Sequence, residues 1–194
     1  LLLNFRENAE AVRLDISAIA HTPDGYLWIG SDELTTLERL SATAPDEYGN
    51  HQPYLISDYL NLPDPNAEID IEGMTFSDGY LWLVGSHSTK RKKVKGKDAK
   101  KAIENLLEIE TDPNRYLLAR LPIVEGVPVK KDKSTGLTAA ALKQNASSNS
   151  LTEALRQDEH IGPFLQMRLP AKENGLDIEA LAAQGHRLFL GLRG

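Results

Sequence analysis

Asp70-Ile71-Glu72-Gly73-Met74-Thr75-Phe76-Ser77, then Asp78-Gly79, then Tyr80-Leu81-Trp82-Leu83-Val84-Gly85 reads as an acidic-capped apolar strand, a tight turn and a second apolar strand closing on glycine. The same pattern occurs twice more. Asp15-Ile16-Ser17-Ala18-Ile19 precedes Tyr26-Leu27-Trp28-Ile29-Gly30, and Asp177-Ile178-Glu179-Ala180-Leu181 precedes Arg187-Leu188-Phe189-Leu190-Gly191. Asp24-Gly25 and Asp78-Gly79 tolerate the positive φ angles of a type I′ connection, and Gln184-Gly185-His186 keeps the glycine in the third copy. From leading aspartate to reference leucine is 12 residues in the first copy and 11 in the others, so the first hairpin carries one extra residue. Past Glu72 both faces of the strand are apolar or small, as expected for a strand covered on both sides.

Leu27 and Leu81 are 54 residues apart and Leu81 and Leu188 107, close to twice that spacing. A period of this size fits a propeller blade with generous loops. The expectation is an all-β, β-propeller-like repeat of roughly 54-residue units in one incomplete domain over 1–194, with three to four units present. Units open near 15, 70 and 177, and a degenerate one near 105, where apolar runs flank Thr111-Asp112-Pro113-Asn114. One or two short helical insertions interrupt the plan. One covers 98–109, and one opens on the capping-box pattern Ser150-Leu151-Thr152-Glu153 and ends before Gly162-Pro163. The polar stretch 130–150 is expected as a mobile loop.

Cysteine is absent, which excludes disulfides, thiolate metal sites and cysteine nucleophiles. No apolar run approaches the roughly 20 residues that cross a bilayer, and no membrane partner is expected. The chain begins at Leu1 without a methionine and stops after the second strand of the third unit, so it reads as a piece of a longer protein. The reading favours the cytoplasm. A sheet left open at that point predicts self-association through its edge. Net charge is −6, yet positions 90–101 carry eight basic residues against Asp98 alone, leaving −13 on the remainder. An acidic body with one basic loop is polarised rather than a general nucleic-acid binder, and the loop has no aromatic residue on which bases could stack.

Candidate chemistry sits in three places. Glu72 and Glu179 hold equivalent positions where inner strands begin, and oxygen ligands converging there could hold calcium; the first unit supplies Ser17 instead. After the second strand, Ser31-Asp32-Glu33 and Ser86-His87-Ser88 offer Asp32 and His87 as catalytic candidates, although hydroxyls capping a turn explain the serines more simply. Lys90, Arg91, Lys92 and Lys93 form a candidate anion- or partner-binding group, or else a solvated loop.

Asp70 to Met74 with Gly79 to Lys92, Lys172 to Leu181 with Leu188 to Gly194, and Leu27 to Glu33 together resemble the bacterial domain of unknown function 3616 family, over nearly the whole chain. Ala180 stands where the family pattern usually has glycine. The resemblance implies a propeller-like fold in a larger domain and brings no established activity. A fold-level likeness to phytase-like and lactonase-type propellers with calcium at channel carboxylates suggests the alternative function. The leading expectation is a module that binds a small-molecule or protein ligand; the alternative is a cation-dependent hydrolase of phosphate or lactone esters.

Overall fold

A computed structural model describes residues 1–7, 9–93 and 98–193. The protein is mostly β. A two-residue strand β1 (Leu2–Leu3) and helix α1 (Glu10–Leu14) precede a meander of β2 (Ile16–His21), β3 (Tyr26–Ser31), β4 (Thr36–Ala44) and β5 (Glu47–Leu55). These form the first sheet, in order β1-β5-β4-β3-β2. The second sheet begins with β6 (Ile71–Ser77) and β7 (Tyr80–Gly85). An insertion follows in which β8 (Lys90–Arg91) and β9 (Ile109–Glu110) pair around helix α2 (Ala99–Leu107). Strand β10 (Leu118–Val124) then pairs with β7 and carries β11 (Val127–Pro128) and β12 (Ala140–Ala141). Helices α3 (Ser150–Arg156) and α4 (Gly162–Gln166) lead to a third, two-stranded sheet of β13 (Ile178–Gln184) and β14 (Arg187–Leu192).

The three copies of the repeat are the first hairpins of the three sheets, and their leading strands lie side by side in the order β2, β6, β13. Strand β6 is therefore covered on both faces, which accounts for its apolar pattern. One cluster joins the first two sheets through Trp28, Leu37, Ile71, Leu81 and Leu121. Another joins the second and third through Val84, Leu118, Ile178 and Leu181. Each large aliphatic side chain fully buried there contributes roughly 1.5–3 kcal/mol. The approach is close enough to need glycine. A Cβ at Gly73 would lie 2.7 Å from the Leu181 backbone nitrogen, and one at Gly30 2.9 Å from Ile71 Cγ2. At Ala180, where glycine was the expected family residue, the methyl is received by the bare Gly191 opposite, whose own Cβ would lie 2.8 Å from it.

Pairing in all three hairpins slips at the same place. The register shifts between Ile16 and Ala18, between Ile71 and Gly73, and between Ile178 and Ala180. Ser17, Glu72 and Glu179 are thus bulge residues, and a bulge leaves its residue out of the ladder and re-aims its side chain.

Several expectations change. The degenerate unit near 105 is replaced by the third strand of the second sheet: β10 pairs with β7 from Leu118↔Val84 to Pro122↔Tyr80, burying Leu118 and Leu121. The intervening residues form the β8–α2–β9 insertion. Of the three repeat turns, Asp78-Gly79 is the one with both turn residues at positive φ (52° and 81°), as type I′ requires. In the first hairpin Gly25 alone is left-handed (φ 87°), and its N–H donates to Thr22 O at 2.9 Å, accommodating the extra residue. Asn149, not Ser150, caps α3, its Oδ1 accepting from Thr152 N at 2.9 Å. Gly162-Pro163 opens α4 because proline fits the first helical turn. The stretch 130–150, expected as a mobile loop, is tied down by β12 on β10, a Lys131↔Thr138 bridge and an Asp132 turn that accepts from Ser134 N.

Candidate functional site

The leading ends of the inner strands meet at one mouth. Asp70 and Asp177 precede β6 and β13, each 6% exposed, with the bulge residues Glu72 and Glu179 two positions on. Asp32 arrives from the loop after β3. Single carboxylate oxygens of Asp32, Asp70 and Glu72 lie within 4.8 Å of one another, a spacing compatible with ligands of one ion. Ser17, at the bulge of the first hairpin, turns away from this role: its hydroxyl donates to Ile71 O and stitches β2 to β6. The mouth opens into a cavity of about 500 Å³, which Lys90, Arg91, Lys93, Arg115 and Lys172 line together with Glu68 and Glu173.

Crowding of like charges in a partly dehydrated place sets the electrostatics. Burial, reinforced by Asp70, Asp177, Asp32 and Glu179, pushes the Glu72 carboxyl up to about 8. Asp177 rises to about 6, mainly through burial and then Glu179 and Asp70. Burial also raises Asp70, although the Arg115 guanidinium 3.0 Å away opposes it. Arg115 further contacts Glu68 at 3.3 Å, Asp112 at 3.4 Å and Ser88 Oγ at 3.0 Å, so it acts as a fixed strut beneath the cluster. One oxygen of Asp32, Oδ1, is buried with no hydrogen-bond partner among the described residues. A carboxylate oxygen is an acceptor only, so this atom faces the cluster with no donor from the protein to satisfy it.

The residues singled out from sequence separate into groups. Glu72 and Asp32 come together, with Lys90, Arg91 and Lys93 lining the same cavity. Glu179 points to the rim, where Arg193 holds it at 2.8 Å and approaches Asp177 at 3.6 Å. His87 does not join them. It is buried with φ 55°, its Nδ1–H donating to Gly85 O at 2.9 Å while Nε2 accepts from Asn149 Nδ2 at 2.8 Å. Burial pulls its pKa down to about 4, so the ring is neutral and both nitrogens are engaged, which leaves neither for a substrate. The flanking serines serve the turn: Ser86 Oγ meets Ser88 Oγ at 2.9 Å and accepts from Ser88 N.

Most of the basic group is paired within the molecule. Lys90 bridges Asp112 (2.5 Å) and Glu68 (3.2 Å), Arg91 grips both oxygens of Glu173 at 2.6 Å, and Lys92 meets Glu108 at 2.7 Å. Lys93 makes no ion pair among the described residues, and Lys95 and Lys97 lie outside them. Asp70, Asp177 and Arg115 were missed as site residues. The aspartates were visible as the leading residue of every repeat copy, whereas Arg115 lies within a 3₁₀ turn (Pro113–Tyr116) with no repeat signal.

No curated protein matches the sequence. A family model described as a protein of unknown function, DUF3616, matches residues 15–194, from the first leading aspartate to the end of the third hairpin, and so takes in every element that builds the mouth. With its three bulged hairpins and their shared mouth, the chain belongs to the DUF3616 family.

Proposed function

We propose that the chain is the ligand-binding part of a β-propeller, with three successive blades meeting at a mouth that uses a hard divalent cation, calcium by preference, to hold an anionic ligand. Neighbouring inner strands with matching bulges support the propeller reading. The observation that carries the binding reading is the convergence of Asp32, Asp70 and Glu72 oxygens within 4.8 Å, in a cavity that Lys93 and Lys172 also line. Oxygen ligands of this kind suit calcium, which completes its shell with waters or ligand oxygens. These lysines then favour a phosphate or carboxylate bridging to the metal. Calorimetric titration with calcium should give saturable binding that Glu72→Gln and Asp32→Asn each remove. Unchanged heats in both variants would sink the reading.

A cation-dependent hydrolase of phosphate or lactone esters is the second reading, favoured by one observation: Glu72 keeps a proton near neutral pH beside Asp32. A proton-bearing carboxyl beside a second carboxyl is a recurring acid–base arrangement. Turnover of aryl phosphates or lactones that requires calcium and disappears in Glu72→Gln would favour it. Calcium binding without turnover leaves the binding module.

A further inference from the structure

The edge of the second sheet carries another surface, which shares no residue with the cavity at the carboxylate mouth. Strand β12 pairs with β10 at Ala119↔Ala141 and Arg120↔Ala140, and Leu142 N donates to Leu118 O at 2.9 Å. Alternation along an antiparallel ladder then turns the N–H and C=O of Ala141 away from β10. Two residues earlier the outward side is taken: Ala139 N donates to Lys130 O at 2.8 Å, and Lys131 bridges Thr138. Beside Ala141 no further strand follows among the described residues, so the edge stands open there. Sheet edges are commonly blunted by proline, a bulge or charge. Ala139-Ala140-Ala141 presents methyl groups alone, and Lys143 is the charge that follows.

The open edge borders a groove of about 850 Å³ that Tyr59, Leu60, Leu62 and Pro63 also line. Its walls are fixed by buried bonds. Asn114, fully buried, donates through Nδ2 to Asp64 O at 2.6 Å and Ala67 O at 2.9 Å, and Gln144 Nε2 donates to Pro113 O at 3.2 Å. Lys130 and Lys143 are the charged residues of the lining, and neither makes an ion pair among the described residues. Positions 130–146 carry four lysines against Asp132, and 57–63 add only Asp58, so the groove is cationic in a chain of net −6. A second copy paired edge to edge would set these lysines against their own kind.

We infer that this groove takes an extended acidic peptide of another protein as an added strand on β12, its backbone bonding Ala141 and its carboxylates meeting Lys130 and Lys143. Strand addition draws affinity from main-chain bonds, and charge at the rim selects the partner. The small side chains of Ala139, Ala140 and Ala141 let a second backbone come close, and the apolar residues from Tyr59 to Pro63 receive alternate side chains of the peptide.

Fluorescence anisotropy of the full chain with a labelled short peptide of alternating valine and glutamate should show saturable binding at low salt. A valine–serine peptide of the same length should not bind. Ala141→Pro removes the outward N–H, leaves the bonds to β10 in place, and should weaken binding about tenfold or more. Lys130→Glu with Lys143→Glu should abolish it. Ala141, Lys130 and Lys143 are exposed, so urea midpoints of the variants should match the parent and separate lost docking from lost folding. Should the proline lower the midpoint, the lysine pair carries the test alone. No saturable binding of the acidic peptide, equal binding of the valine–serine peptide, or binding indifferent to either variant overturns the inference. A dimer in sedimentation velocity that Ala141→Pro dissolves overturns it in favour of a second copy.

Discussion

Glu72 and Glu179 sit at the same bulge of the same hairpin, two residues after the same aspartate, and meet opposite surroundings. The loop position after the second strand is responsible. For Glu72 the neighbour is Asp32, sent across from the first hairpin; for Glu179 it is Arg193, from its own hairpin. In the first arrangement burial, and then the facing carboxylates, push Glu72 to about 8, whereas the second offsets the charge of its glutamate in an exposed ion pair. In the second hairpin the equivalent loop residue is His87, turned inward to Gly85 and Asn149. The repeat fixes where a side chain is delivered; the residue arriving from the next loop decides what it can do.

The largest perturbation would break the geometry that both glutamates share. Gly73→Val forces a side chain onto the Leu181 backbone and should cost about 3 kcal/mol in urea unfolding, against little effect for valine at the open Gly136 turn apart from its left-handed strain. An equal loss at both positions would show that the sheets are not in backbone contact there. His87→Ala should cost about 2–3 kcal/mol by leaving Asn149 and Gly85 O without their partner, while calcium binding stays intact. Loss of calcium binding instead would place His87 in the site.

Calcium sharpens the contrast directly. At about 100-fold excess over the dissociation constant it should add about 2.7 kcal/mol of stability. Glu72→Gln removes that gain and Glu179→Gln keeps it; the reverse would move the site to the third hairpin. In the absence of metal, pH separates the same pair. The Glu72 carboxyl titrates at about 8 folded against 4.5 unfolded, so between those values the folded state holds a proton that the unfolded state has lost. Its contribution is full below pH 4.5 and declines as pH rises through 8, by on the order of 1–2 kcal/mol once partial solvent screening is allowed for. Urea midpoints should therefore fall over that window in the parent and, in Glu72→Gln, flatten above about pH 6, the fall below it being left to Asp177. The smallest effect belongs to Glu179→Gln itself, under about 0.5 kcal/mol for an exposed pair.

The repeat made the three hairpins, their order and the double cover of β6 readable from apolar spacing and glycine. It also put Glu72 at the mouth. It misread Leu117, Leu118 and Leu121, because an apolar run shows that a strand is buried without saying which strand it joins. The long insertion between β7 and β10 mimicked a unit boundary. The like-charge cluster was only half visible, since Asp32 comes from a neighbouring hairpin and Arg115 from a turn outside the pattern. His87 looked catalytic beside its serines, and only its distant partner Asn149 explains it, 62 residues further on.

Gly73 brings the second sheet directly onto the Leu181 backbone, while Gly30 receives the Ile71 side chain of the neighbouring sheet. Contacts this close cannot shorten further, so relative motion of the sheets there would be a tilt. The carboxylate oxygens stand at one end of the pivoting strands, so a few degrees of tilt between neighbouring sheets translates into a change in their separation. Under the proposed cation site, ion capture and the angle between sheets would be linked, and whatever grips the far ends of these hairpins would tune the affinity of the near ends.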